Sequence, residues 1–223
     1  NTSALLAKEL QEAGLEVTTG IGRNSIVASL NKGSGVNPIG FRADMDALPI
    51  TEANTFGHAS NSPGKFHGCG HDGHSAMLLG AAKLLAQAND LEREIHCIFQ
   101  ADEENVNGAQ ALIEAGLFDR FQIDAIYGLH NLPGLAVGSF AINPGVFCAF
   151  EDNFEISVLG KGGHSSMPEK VIDPIVIGAK IVSDLQSIVS RTIPPSEHAV
   201  VSVTDFKTDG ARNVIATEVN ITG

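Results

Sequence analysis

The sequence predicts an α/β fold: a largely parallel sheet covered on both faces by helices, followed by a smaller α+β unit. Two observations point there. Between residues 24 and 129, apolar runs of strand length alternate with segments of helical spacing. After Phe150 the pattern changes to apolar-polar alternation, which suits a sheet with one wet face. The chain is therefore expected to divide into domains 1–150 and 151–223.

Element by element, Thr2 to Gly14 has helical spacing at Leu5, Leu6 and Leu10, with Gly14 placed to close the helix. Asn24 to Leu30 and Asn37 to Ala43 read as strands, joined by Asn31-Lys32-Gly33-Ser34-Gly35 with hairpin turn chemistry. From Asp72 to Ala88 apolar residues nearly encircle a helix, which predicts burial on all sides. Glu94 to Gln100 is a strand, Val106 to Ala115 a helix closed by Gly116, and Asp124 to Leu129 another strand. In the second unit Phe154 to Leu159 alternates. Asp173-Pro174 then supplies an N-cap and a first-turn proline for a helix presenting Ile175, Ala179, Val182, Leu185 and Val189. Two alternating segments follow, Ala199 to Phe206 and Asn213 to Ile221.

Composition narrows the function classes. A chain of 223 residues with 43% hydrophobic and 18% charged residues reads as soluble and globular, and it contains no apolar run near the ~18 residues of a membrane span. A formal charge of −12 with no basic patch argues against nucleic-acid or anionic-membrane partners. Cys69, Cys97 and Cys148 are odd in number and widely spaced, which disfavours a disulfide framework and suits the cytoplasm. The chain opens at Asn1 without Met and stops after an apolar alternation, so both ends read as cut.

The stretch HGCGHDGHS, residues 67 to 75, packs three histidines and a cysteine among three glycines. A Cys-x-His pair sets a soft thiolate beside an imidazole, and the glycines let the backbone fold tightly around an ion. Asp44 and Asp46, Glu103 and Glu104, and His130 each follow a predicted strand. In an open α/β sheet those carboxyl ends share one rim where ligands bind, so a metal is the economical explanation. Taken alone, Glu103-Glu104 also fits a solvated helix start, Asp44 a turn or cap, and His164 an exposed loop. His58, His96, His198, Cys97 and Cys148 read as packing residues, and His67 and His74 as supporting or helix-surface residues.

Five stretches carry a family resemblance: Phe41 to Pro49 (FRADMDALP), His67 to Asp72 (HGCGHD), Ala101 to Glu104 (ADEE), Gly128 to His130 (GLH) and Gly160 to Ser166 (GKGGHSS). In this order they resemble the N-acyl-amino-acid amidohydrolases, the hippurate and auxin-conjugate hydrolase branch of the dinuclear metallopeptidases. The resemblance implies hydrolysis of the amide of N-acyl amino acids, hippurate-like or N-acetyl, by a metal-activated water. It implies two divalent ions, zinc or manganese, on Cys69, His71, Glu104 and His130, with Glu103 as general base and Asp44 as a buttress. The second domain is implied to be an inserted lid and homodimerisation surface, with His164 polarising the substrate carbonyl and Asn213 holding the substrate carboxylate. Relatives continue into a further histidine ligand, and their N-terminal His-x-His-Pro-Glu segment has no counterpart here. Both domains are thus expected to be incomplete, and the chain to be a fragment of an enzyme that need not be active alone. The alternatives are a dipeptidase or deacetylase of the same family, a non-catalytic metal-stabilised binder of acyl amino acids, or a structural dimer.

Overall fold

The computed structural model describes residues 2–30 and 37–223. The chain divides into two compact units, Asn1–Ser139 and Phe140–Gly223.

The first unit is built on five strands: β1 (Glu16–Ile21), β2 (Ser25–Leu30), β3 (Ile39–Asp44), β4 (Ile95–Gln100) and β5 (Ala125–Gly128), in spatial order β1-β2-β4-β3-β5. Its helices are α1 (Thr2–Glu12), α2 (His71–Gln87), α3 (Gly108–Glu114) and α4 (Leu117–Arg120). The α/β class holds, and the sheet is mixed: β4, β3 and β5 run parallel, while β1 and β2 join antiparallel. β2 and β4 are buried along their whole length, which explains their continuous apolar runs. On one face Leu6, Leu10, Ile26, Ala28, Leu78, Ala82, Cys97 and Phe99 pack together; on the other, Ile21, Val27, Ile98, Leu112 and Leu117 do.

Several expectations are corrected. The hairpin between β2 and β3 does not form, because β4 lies between them: Ala28 and Phe41 both pair with Cys97, from opposite sides. Its turn, at residues 31–35, falls outside the described residues. Strand β1, which the sequence reading passed over, pairs with β2 through the register Val17 to Ala28. Helix α2 buries one face only, with Met77 and Leu84 exposed at 48% and 72%. α3 begins at Gly108 rather than Val106, since Val106 takes φ 59, outside the helical region.

The second unit holds β6 (Glu155–Leu159), β7 (Gly163–His164), α5 (Pro174–Ser187), β8 (Asp205–Thr208), β9 (Val214–Ile215) and β10 (Glu218–Thr222). An antiparallel sheet β6-β10-β8 packs Val158, Val219 and Ile221 with Ile181 and Val182 of α5. Asp173 caps α5 as expected, its Oδ1 accepting from the Ile175 N–H at 2.9 Å. Of the expected face of α5, Val182 packs on the sheet and Leu185 is half-buried, but Ile175 and Ala179 are exposed; at the start of the helix the packed stripe runs instead through Pro174, Gly178 and Ile181. Gly178 decides this. A Cβ there would meet Phe206 and Val219 at 3.1 and 3.2 Å, so the helix turns its bare position to the sheet. The segment expected as one strand over 213–221 is split into β9 and β10, where Asp209 accepts from the Thr217 and Glu218 N–H groups.

Candidate metal centre

Parallel pairing of β4, β3 and β5 sends their carboxyl ends to one rim. Asp44 ends β3 opposite Gln100, the last residue of β4, and Arg42 pairs with Gly128, so His130 follows two residues beyond that register. The start of α2 is fastened to the same rim by Ser75, whose hydroxyl donates to the Asp44 carbonyl at 2.9 Å. The loop after β4 turns sharply: Asp102 and Val106 both lie in the left-handed region, φ 62 and 59, and bracket Glu103-Glu104. Asp102 is held by Arg23 at 2.9 Å, and its carbonyl accepts from Gly108 N–H at 2.9 Å. The acidic pair therefore projects from a constrained turn rather than from a helix start.

The rim gathers three overlapping groups whose donor atoms lie within 4.8 Å of one another: Cys69, His71 and His130; His71, Glu103 and Glu104; Asp44, His71 and His74. Cys69 Sγ is 3.3 Å from His130 Nε2. His71, only 1% exposed, presents Nε2 at 3.7 Å from a carboxylate oxygen each of Asp44, Glu103 and Glu104. Its Nδ1–H donates to the Asp46 carbonyl at 3.0 Å, and that of His130 to the Asn131 carbonyl at 2.7 Å. Both rings thus turn Nε2 toward the rim, that of His130 onto Cys69 Sγ and that of His71 onto the carboxylates, as metal-binding imidazoles do. His71 Nε2 and Glu104 Oε1 are buried without a hydrogen-bond partner. A buried donor or acceptor left unmatched is costly, and a cation between these atoms would match both. The donor set of thiolate, imidazoles and carboxylates fits divalent ions.

The electrostatics agree. Burial and the charges of Glu104, Glu103, Asp44 and Asp46 push the Cys69 thiol up. Burial raises Glu104 as well, with His71 opposing and the carboxylates of Glu103, Asp46 and Asp44 adding to it. Asp44 moves the other way: burial favours its neutral form, but the hydrogen bond from His74 and the charges of Arg42 and the two histidines outweigh that. Crowded negative charge with too few cations is what a metal relieves.

Of the residues singled out from sequence, Cys69, His71, Glu103, Glu104, His130 and Asp44 meet at this rim. His164 and Asn213 lie in the second unit, on one ladder: His164 pairs with Val214, and Ser165 N–H donates to the Asn213 carbonyl at 3.1 Å. The His164 Nδ1 accepts from the Ser166 hydroxyl at 2.8 Å. His96 and Cys97 are core residues; His58, His198 and Cys148 are exposed rather than packed. The sequence leaves His74 between a supporting and a helix-surface position, assigns Asp46 no specific role, and does not single out Asn131. The spacing His71 to His74, one helical turn, was the available signal.

Fold and donor set define the class: an α/β metalloprotein whose centre lies at the carboxyl ends of parallel strands. The sequence model of peptidase family M20/M25/M40 matches residues 40–220, and the chain belongs to that family. It is 43% identical over 214 residues to the hippurate hydrolase of Campylobacter jejuni, covering 96% of this chain and 56% of that one. It is 45% identical over 203 residues to the N-acyl-L-amino acid amidohydrolase of Geobacillus stearothermophilus, covering 90% and 54%. The crystal structure of a dinuclear metal-binding M20 peptidase from Bacillus subtilis superposes with a TM-score of 0.69 at 34% identity, covering 100% of this chain and 56% of that one. The chain spans about half the length of the curated relatives it matches.

Proposed function

We propose that the protein hydrolyses the amide bond of N-acyl amino acids, hippurate-like or N-acetyl, using two divalent ions, zinc or manganese, held by Cys69, His71, Glu104 and His130. The observation that carries this is the pair of buried, unpartnered atoms His71 Nε2 and Glu104 Oε1, 3.7 Å apart, with the Cys69 to His130 contact in the same cluster. The names of the relatives support the substrate class.

Such ions, when bound, lower the pKa of water toward ~7 and polarise an amide carbonyl. Glu103 is 39% exposed and so reachable from solvent, with Oε2 at 3.7 Å from His71 Nε2. It takes a proton from the attacking water and returns it to the departing amine. Asp44 keeps its negative charge and steadies the His71 end. His164 is assigned to donate to the substrate carbonyl oxygen and Asn213 to bind the substrate carboxylate.

Three further expectations belong to the same reading. The thiols of Cys69, Cys97 and Cys148 are free, which suits a reducing cytoplasm. Among the described residues no helix is long and apolar enough to cross a membrane. A homodimer through the second unit accounts for the exposed Ile175, Val176 and Ile177 of α5.

The test uses the full-length protein reconstituted with Zn²⁺ or Mn²⁺ and offered N-benzoyl and N-acetyl amino acids. Turnover is expected, and E103Q is expected to reduce kcat by ~10²–10⁴ while metal content stays unchanged. No cleavage of either substrate class overturns the hydrolase reading, and undiminished function in E103Q favours the non-catalytic binder.

A further inference from the structure

We propose that His74 is a positioning residue of the metal centre: its imidazole ties Asp44, at the end of β3, to Asn131, the neighbour of His130, and so sets the spacing between the His71 and His130 sides of the donor cluster. This rests on the reading of the centre given above.

His74 lies one turn after His71 on α2 and is buried. A buried imidazole must have both nitrogens matched, and here each is matched to a different strand end. Nδ1 donates to Asp44 Oδ1 at 2.6 Å, and the other carboxylate oxygen of Asp44 accepts from Arg42 Nη1 at 2.7 Å. Arg42 is itself held by Gln100 through Nε at 2.9 Å, so the Asp44 anchor reaches β4. At the far side, Nε2 lies 2.5 Å from Asn131 Oδ1 and 3.2 Å from Asn131 N. Nε2 is thus held against Asn131 while Nδ1 is held against Asp44.

Asn131 has a fixed seat. Gly70 sits beneath it with φ 92, and a Cβ at that position would come within 2.4 Å of Asn131 Oδ1. The absence of a side chain at residue 70, between Cys69 and His71, makes room for the amide that His74 grips. The His74 ring also lies 4.5 Å from the His130 ring and 5.4 Å from that of His71, the third corner of a triangle whose His71–His130 side is 6.3 Å. Both strand ends are thus registered against one rigid plane.

The test measures Zn²⁺ dissociation constants on the full-length protein by competition with a chromophoric chelator, together with the Co²⁺ spectrum, whose thiolate band reports Cys69. The variants are H74F, N131A, the double variant, and C69S as control. H74F and N131A are each expected to weaken Zn²⁺ binding ten- to a hundred-fold. Both should alter the Co²⁺ band, which a purely structural role would leave unmoved, and the double variant should be no weaker than H74F, because one network is broken once. Where H74F fails to fold, N131A alone decides. If H74F and N131A bind as wild type while C69S does not, His74 has no positioning role and the centre stands. If C69S also binds as wild type, the centre itself is wrong and the proposal falls with it.

Discussion

His71 Nε2 and Glu104 Oε1 face each other across 3.7 Å, both buried and neither hydrogen-bonded. They come from α2 and from the turn after β4, so a cation matching both would cross-link two elements of the fold. Removing metal from the full-length protein is therefore expected to lower its melting temperature. At ion concentrations ~100 times the dissociation constant the stabilisation is ~2.7 kcal/mol. Thermal melts with and without a chelator measure it, and identical melts refute it.

Metal affinity should rise with pH. The Cys69 thiol and the Glu104 carboxyl are both pushed up, by burial first and by neighbouring carboxylates. The thiol, protonated at neutral pH even when unperturbed, therefore keeps its proton there in the metal-free protein, and binding must displace it. Chelator competition across pH 6 to 8 should show tightening of ~10-fold per unit for each proton displaced. C69S should flatten the profile, and a pH-independent affinity in wild type would contradict the assignment.

His96 should make stability sensitive to acid, far from the metal centre. Burial lowers its pKa, with the Glu94 charge and a Gln122 backbone hydrogen bond opposing. Its Nδ1 is 2.8 Å from the Ser29 hydroxyl in the core. Because the folded pKa lies below the unfolded value of ~6.5, the unfolded chain binds the proton first as pH falls. The contribution is present above ~6.5 and is lost as pH drops through the folded pKa, with a slope of at most ~1.4 kcal/mol per unit. Urea unfolding of wild type and H96Q between pH 5 and 8 checks this; parallel curves would refute it.

Gly70→Ala should damage both fold and centre. The residue has φ 92, and the new methyl would collide with the Asn131 amide. A strained left-handed alanine costs ~1–3 kcal/mol. Urea titration should show that loss, and weaker Zn²⁺ binding should accompany it. Unchanged stability and affinity would mean that Asn131 moves aside freely.

Much of the architecture was legible locally. Continuous apolar runs marked β2 and β4, and Asp173-Pro174 announced the start of α5, because burial and capping act on neighbouring residues. The hairpin reading failed because turn chemistry says nothing about which strand arrives later: β4, some 65 residues beyond β2, takes the place between β2 and β3. The stripe of α5 was read from side chains, yet the residue that sets its rotation, Gly178, has none.

The kinds of donor at the centre, a thiolate and an imidazole two residues apart and an acidic pair, are properties of the chain order and could be read before any folding was considered. Their convergence required parallel β4, β3 and β5, whose pairing joins residues far apart in sequence. Which histidine nitrogen faces the rim, why Asp44 stays charged, and how His74 spans two strand ends depend on distances of a few ångströms. Hydrogen bonding and desolvation act through space at that range, so only the folded chain decides them.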